Sequence, residues 1–249
     1  MSRRAEPKPR GVAEVGWALV EDKASLIWEA PEPYRQKLPR ASSAKSVQAC
    51  PAAIDFDARQ FVVPAPVDLH LGIGFDEQKR PVLTNLAGER STIRSKHLNQ
   101  MIAVVARNEW RHPDRPIIQV ITPYLFLADE PVYLNQTPPF MDYARDPWPG
   151  VLICGRFPVH IWPRPMMWAF EWYDTSKPLI VRRGQPWFYV RFEPGAPDRA
   201  LRLVEAELKD DVRRYIASVS GVTNYVNRTY SLFDTAKRRR PKQLLYRKA

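Results

Sequence analysis

The sequence predicts a mainly β fold: a β-sandwich or jelly-roll-like body with one short helix and a long C-terminal helix. Three observations predict it. Proline makes up 25 of 249 residues, about twice the usual share, and falls between short apolar runs, as it does where strands are brief and loops many. Between Pro66 and Phe75, Val67, Leu69, Leu71, Ile73 and Phe75 alternate with Asp68, His70, Gly72 and Gly74, the period of a strand with one buried face. From Leu201 onward, apolar or aromatic residues recur at Val204, Leu208, Val212, Tyr215, Val219, Val222, Val226, Tyr230 and Phe233 in steps of three and four, the stripe of an amphipathic helix.

The elements follow in order. Residues 1–12 read as a flexible basic arm. Val15–Val20 and Leu26–Glu29 read as short strands, and 30–60, with Pro31, Pro33, Pro39 and Pro51, as an irregular segment. Residues 95–106 suit the short helix, with Ser95 as cap and Leu98, Met101, Ile102 and Val105 at helical spacing. Ile117–Leu127 is apolar and β-branched, one or two buried strands interrupted at Pro123. Val151–Cys154, Pro158–Trp162, Met167–Tyr173, Leu179–Arg182 and Pro186–Phe192 form a series of strands, with Arg183-Gly184-Gln185 as a tight turn. The β-rich domain then spans 13–193. A C-terminal helix capped by Asp198 and bent at Gly221 occupies 194–236, and a basic tail 237–249. At about 35 residues and roughly 50 Å, that helix exceeds what one small sandwich covers, which points to a contact with another subunit.

Hydrophobic residues are 45% and charged residues 26%, a composition that excludes disorder as the main state. No apolar run approaches the roughly 18–20 residues of a membrane span, and the N-terminus MSRRAEPKPR leads into no signal core. The expectation is a soluble protein of the bacterial cytoplasm, with no membrane partner. Cys50 and Cys154 stand far apart among apolar neighbours, so buried free thiols are expected. The net charge of +11 lies almost wholly at the ends: residues 1–10 carry +3 and 237–249 carry +7, leaving the body near +1. The tail cations Lys237, Arg238, Arg239, Arg240, Lys242, Arg247 and Lys248 are candidates for nonspecific contact with nucleic acid or another polyanion. The ordinary reading is a solvated tail.

Chemistry is sparse. In the aromatic stretch from Trp162 to Tyr173, Trp162, Arg164, Trp168 and Glu171 are candidates for a small-molecule or sugar pocket, although large aromatics are mostly packed core. Trp187, Tyr189 and Arg191 alternate with Phe188, Val190 and Phe192, a strand apolar on both faces, which the C-terminal helix is expected to cover. His112, Asp114 and the distant His160 match a two-histidine-one-carboxylate iron triad, though so short a match arises often by chance. No Gly-x-Ser-x-Gly elbow, Walker loop or His-Glu-x-x-His occurs. Leu71-Gly72-Ile73-Gly74 lacks the third glycine of a dinucleotide fold. No catalytic residue, cofactor or metal site is predicted.

Two stretches carry a resemblance. Ala49-Cys50-Pro51-Ala52-Ala53 runs on to Pro66-Val67-Asp68-Leu69; Pro149-Gly150 runs through Gly155-Arg156-Phe157-Pro158 and Trp162 to Arg183-Gly184-Gln185-Pro186-Trp187-Phe188. With Thr122-Pro123-Tyr124-Leu125-Phe126 between them, they resemble an uncharacterised bacterial and phage family, a domain of unknown function, over roughly 45–235. The resemblance implies a bacterial or phage-encoded protein and no activity. The leading expectation is a non-catalytic binding or assembly protein, a homo-oligomer held by the long helix, with basic tails on an acidic partner. The alternatives are a small-molecule or sugar-binding enzyme and an iron oxygenase.

Overall fold

The computed structural model describes residues 11–20, 26–35, 43, 45–142, 147–196, 199–220 and 229–248. Residues 1–10 of the arm expected at 1–12, the cap Asp198 and the bend at Gly221 lie outside the described residues; Gly11 and Val12, the end of that arm, accept hydrogen bonds from Arg199 at 2.9 Å each.

The fold is mainly β, as expected. Fourteen strands among the described residues form three curled sheets. The first takes β1 (Ala13–Leu19), β6 (Ile102–Val104), β7 (Ile117–Leu127), β9 (Gly150–Leu152), β11 (Pro165–Trp172) and β14 (Leu201–Glu205) in the order β14-β1-β7-β11-β9, with β6 also on β7. The second takes β2 (Glu32–Pro33), β3 (Gln60–Pro64), β8 (Val132–Thr137), β10 (Gly155–Pro158) and β13 (Pro186–Pro194) in the order β10-β8-β13-β3-β2. The third is β4 (Leu69–Phe75), β5 (Pro81–Asn85) and β12 (Leu179–Val181), with β4 central. Four α-helices accompany them among the described residues: α1 (Pro51–Ala58), α2 (Ser95–Met101), α3 (Asp210–Ser218) and α4 (Thr229–Arg239).

One core joins the three sheets. The ring of Trp168 on β11 stacks on Phe170 at 5.4 Å and meets Trp187 on β13 at 5.4 Å; Trp28 lies over Trp187 at 6.2 Å, and Trp172 closes on Phe170 at 5.7 Å. Trp168, Phe170 and Trp172 share one face of β11 because alternate residues point the same way. Large rings bury most area per residue and gain from offset and edge contacts, so this row ties the first sheet to the second.

β7 shows why its proline is tolerated. It stays one strand through Pro123, because β6 pairs residues 118–120 and β1 pairs residues 124–127 on the same side. The missing N–H falls near the junction of these partners, while the Pro123 carbonyl accepts from Val20 N–H at 2.9 Å. Elsewhere helix gives way to strand: the helix expected at 95–106 stops at Met101, and Ile102 enters β6 on the edge of β7.

The long C-terminal helix is corrected. Leu201–Glu205 is β14, paired in parallel with Ala13–Trp17 of β1; Leu201 and Leu203 alternate toward the main core while Val204 faces the C-terminal layer. Helix begins at α3, where Asp210 and Asp211 sit in the first turn and favour the helix N-terminus. The steps of three and four combine inward positions of a strand with those of separate helices. Val212, Tyr215, Val219, Leu232 and Ala236 bury against Leu125, Leu127 and Trp162 of this same chain, while Tyr230 of the expected stripe is exposed.

The C-terminal tail is also corrected. It is not a free end. Arg247 bridges Ala206, Glu207 N–H donates to the Tyr246 carbonyl at 2.8 Å, and Lys248 N–H donates to the Glu205 carbonyl at 3.0 Å, so residues 246–248 extend the chain antiparallel beside β14. Leu244 is fully buried and Leu245 nearly so. Gly16 makes room: a Cβ there would meet Leu245 Cδ1 at 2.5 Å and Ala206 Cβ at 2.8 Å. The expected burial of both thiols also fails, since Cys50 stands exposed before α1 and Cys154 in the turn between β9 and β10.

Removal of residues 243–249 is expected to lower the melting temperature by on the order of 10 °C, from two buried leucines at about 1.5–3 kcal/mol each. Calorimetry on the truncated chain checks it; an unchanged melting temperature contradicts the docked tail.

Candidate functional site

The seven cations of 237–248 divide into two groups. Arg240 is mostly buried. Its Nε donates to the His160 carbonyl at 2.6 Å, Nη1 to the Pro241 carbonyl at 2.8 Å, and Nη2 to the Asp129 carbonyl at 2.8 Å. Arg247 forks onto Glu14 at 2.5 and 2.6 Å, and Lys248 reaches Glu205 at 2.5 Å. These three fasten the tail. Lys237, Arg238, Arg239 and Lys242 remain exposed. Arg238 donates to Thr235 Oγ1 and Arg239 to the Ser218 carbonyl. Arg239 and its neighbours Lys237 and Arg238 occupy the last turn of α4, where cations suit the helix dipole. None of the four pairs with a carboxylate among the described residues. The result is a basic corner on a fixed frame rather than a charged thread.

His160 lies beneath this corner. Its Nδ1 is 3.0 Å from the Val132 carbonyl and its ring is 5.6 Å from Tyr133. Burial pushes its pKa below the usual 6.5, helped by Arg240 and Lys237, against the hydrogen bond to Val132.

The four aromatic-stretch candidates do not converge. Trp162 belongs to the C-terminal layer: its Nε1 donates to the Val219 carbonyl at 3.0 Å, its ring meets Phe233 at 5.6 Å, and the Arg164 guanidinium lies over it at 5.0 Å. Trp168 sits in the central ring row with no exposed surface, so its face offers no platform. Glu171 is buried on the other side of β11, with Arg111 at 3.7 Å and Arg115 at 3.9 Å. Strand alternation separates Glu171 from Trp168, and the turn at 158–162 takes Trp162 to another core.

The iron arrangement is not formed. His112 and Asp114 are exposed on the loop before β7, where Asp114 N–H donates to His112 Nδ1 at 3.3 Å. His160 is engaged with Val132 instead. Among the described residues no three His, Cys, Asp or Glu side chains are placed to hold a metal ion.

The outer face of the second sheet carries polar residues that sequence reasoning missed. Along β8, Val132, Leu134 and Gln136 are buried inward while Tyr133, Asn135 and Thr137 alternate with them. Along β13, a register shift between Pro186 and Phe188 turns Trp187 into the core, so it no longer shares the outer face with Tyr189 and Arg191. Asn135 stands opposite Arg191 on one side and Arg156 on the other; Gln60 stands opposite Arg191, and Thr137 opposite Tyr189. The expected cover by the C-terminal helix is corrected here. Tyr34 meets Tyr189 at 5.7 Å, while Phe140 meets Tyr189 at 5.6 Å and Phe56 of α1 at 6.3 Å. The Arg191 guanidinium lies 4.0 Å over Phe56 and donates to its carbonyl at 3.4 Å. Asn135 Nδ2 and Thr137 Oγ1 are shut off from solvent without a hydrogen-bond partner. The period-two pattern of 132–137, beside the alternation already read over 187–192, is the signal of this face in the sequence.

The two stretches behind the family resemblance also meet. Arg183 N–H donates to Asp68 Oδ1 at 2.9 Å and Gly184, at φ 76°, donates to the Ala65 carbonyl at 2.8 Å. An open cavity of about 390 Å³ lies beside them, lined by Ile27, Pro66, Val67, Thr92 and Arg183 among others. Comparison with known families finds no family model that matches the chain, and comparison with curated proteins finds no match.

Arg240→Ala is expected to cost about 2–4 kcal/mol by stripping carbonyls of a charged donor. Alanine at Lys237, Arg238, Arg239 and Lys242 is expected to change stability by less than about 0.5 kcal/mol each; chemical denaturation compares them. The lowered pKa of His160 fixes a sign. Below pH 6.5 the unfolded chain takes up a proton that the native imidazole resists. Stability is therefore fully present above 6.5 and declines as the pH drops from there to the native pKa. His160→Asn is expected to flatten that part of the stability–pH curve.

Proposed function

We propose that the protein is a non-catalytic binding protein whose acidic partner is held by the basic corner at the end of α4. The observation that carries this reading is that Lys237, Arg238, Arg239 and Lys242 stay exposed and clear of carboxylates among the described residues, while Arg240 locks the segment that presents them. A cation held in place still binds phosphates through counterion release, and it does so without base readout. Nonspecific nucleic acid is the partner class that suits four clustered cations. The bacterial or phage setting implied by the resemblance belongs to this reading, as does the sandwich-like arrangement of the sheets.

A homo-oligomer built on the C-terminal helix does not belong to it. Of the apolar positions that prompted it, Leu208, Val212, Tyr215 and Val219 are buried within the same chain, Tyr230 is exposed, and Val222 and Val226 lie outside the described residues. Nor does an aromatic pocket, since Trp162, Trp168 and Glu171 enter three separate surroundings. Among the described residues no helix is long and apolar enough to cross a membrane.

Anisotropy of a labelled DNA duplex of about 20 base pairs, titrated at graded KCl, tests the proposal. Affinity is expected to fall steeply with salt. The variant K237A/R238A/R239A/K242A is expected to lower the log–log slope by about 3–4, near 0.9 for each phosphate that a cation neutralises. Binding by that variant equal to the parent's, or no binding by the parent at low salt, removes the reading.

A further inference from the structure

We propose that the outer face of the second sheet holds a small oxyanion, a carboxylate or phosphate carried on an apolar or aromatic body, between Arg191, Asn135 and Thr137. The site is separate from the basic corner of α4 and does not depend on it.

The register sets the geometry. Asn135 is directly opposite Arg191 and Thr137 directly opposite Tyr189 on the neighbouring strand. Neighbouring strands lie about 4.8 Å apart and alternate residues of one strand about 6.8 Å apart. Four side chains therefore rise from the corners of a patch of about 5 by 7 Å. Gln60 flanks Arg191 on β3 and is turned toward Met141 Sδ at 3.6 Å.

The donor set fixes the sign of the ligand. Arg191 is half-buried, and among the described residues no carboxylate pairs with it; it meets the carbonyl and ring of Phe56 instead. A partly buried guanidinium with no counter-charge beside it favours an anionic neighbour. Asn135 Nδ2 and Thr137 Oγ1 add two buried donors with nothing to donate to; in native proteins such groups are few and each has a cause. A cationic ligand meets the like charge of Arg191 here. An ordered water satisfies the two neutral donors but leaves Arg191 uncompensated. An oxyanion answers all three at once through charge-assisted hydrogen bonds.

The surround indicates the body. Phe56, Phe140 and Tyr189 form a connected ring cluster along the patch, and Phe140 is 51% exposed. Its outer surface is available to an apolar or aromatic group attached to the anion. The neighbouring Arg156 is already engaged, lying over Tyr133 at 3.6 Å and 3.7 Å from Glu193, so among the described residues the positive charge left to this patch is that of Arg191.

The test uses the full chain and four probes: acetate, inorganic phosphate, benzoate and phenyl phosphate, each followed by calorimetric titration and by melting temperature. Benzoate or phenyl phosphate is expected to bind and to raise the melting temperature, more strongly than the head group alone; which of the two does so identifies the head. Asn135→Asp places a carboxylate opposite Arg191 and is expected to fold normally by circular dichroism while weakening the probe at least tenfold. If that variant does not fold, Thr137→Val takes its place, with a loss of about threefold or more expected. The variant K237A/R238A/R239A/K242A is expected to bind the probe as the parent does, which separates this site from the basic corner. Failure of all four probes to bind at millimolar concentration overturns the proposal. So does parent-like affinity in the folded Asn135→Asp or Thr137→Val protein.

Discussion

The constraint on which the rest of the structure depends is that the second half of β7 is buried on both faces. Tyr124 and Phe126 enter the core shared by the three sheets, while Leu125 and Leu127 point the other way into the C-terminal layer. A strand with apolar residues on both faces is stable only when both are covered. The inner face has the ring row of Trp168, Phe170 and Trp187. The outer face is covered by the last part of the chain: α3, α4 and the leucines at 244 and 245. The C-terminus is therefore part of the fold.

That requirement reorganises the charge. A run of seven cations looks like one feature when written as a string. Docking the leucines beside it brings Arg240, Arg247 and Lys248 against Asp129, Glu14 and Glu205, which uses those three for attachment and leaves four facing solvent. The same requirement takes up Leu208, Val212, Tyr215 and Val219 of the apolar stripe. It also couples the two ends: β14 pairs in parallel with β1, and the Arg247 fork closes on Glu14 of that same first strand. Contacts so distant in sequence cost loop entropy, which the burial of the leucines at 244 and 245 offsets.

Much of the architecture is legible in the sequence because it is local. Alternation from 67 to 75 marks β4, prolines and glycines bound the strands between 150 and 194, and Gly184 occupies the left-handed turn that only glycine adopts freely. The long helix fails for a physical reason. Leu201, Val204 and Leu208 fit a helical step by coincidence, and the partner that makes 201–205 a strand, β1, lies at the other end of the chain. The candidate residues Trp162, Trp168 and Glu171 are near in sequence, but strand alternation and one turn send them apart. Asn135 and Arg191 are far apart in sequence, and only the β8–β13 register makes them neighbours. The bulge at 186–188 that removes Trp187 from their face has no signature in the string.

Backbone hydrogen exchange followed by mass spectrometry tests the central claim most directly. With β7 covered by the chain's own end, the amides of Glu207 and of residues 244–248 exchange slowly, and together with those of β14. Exchange of residues 244–248 at the rate of an unstructured peptide, with β7 still protected, contradicts the account.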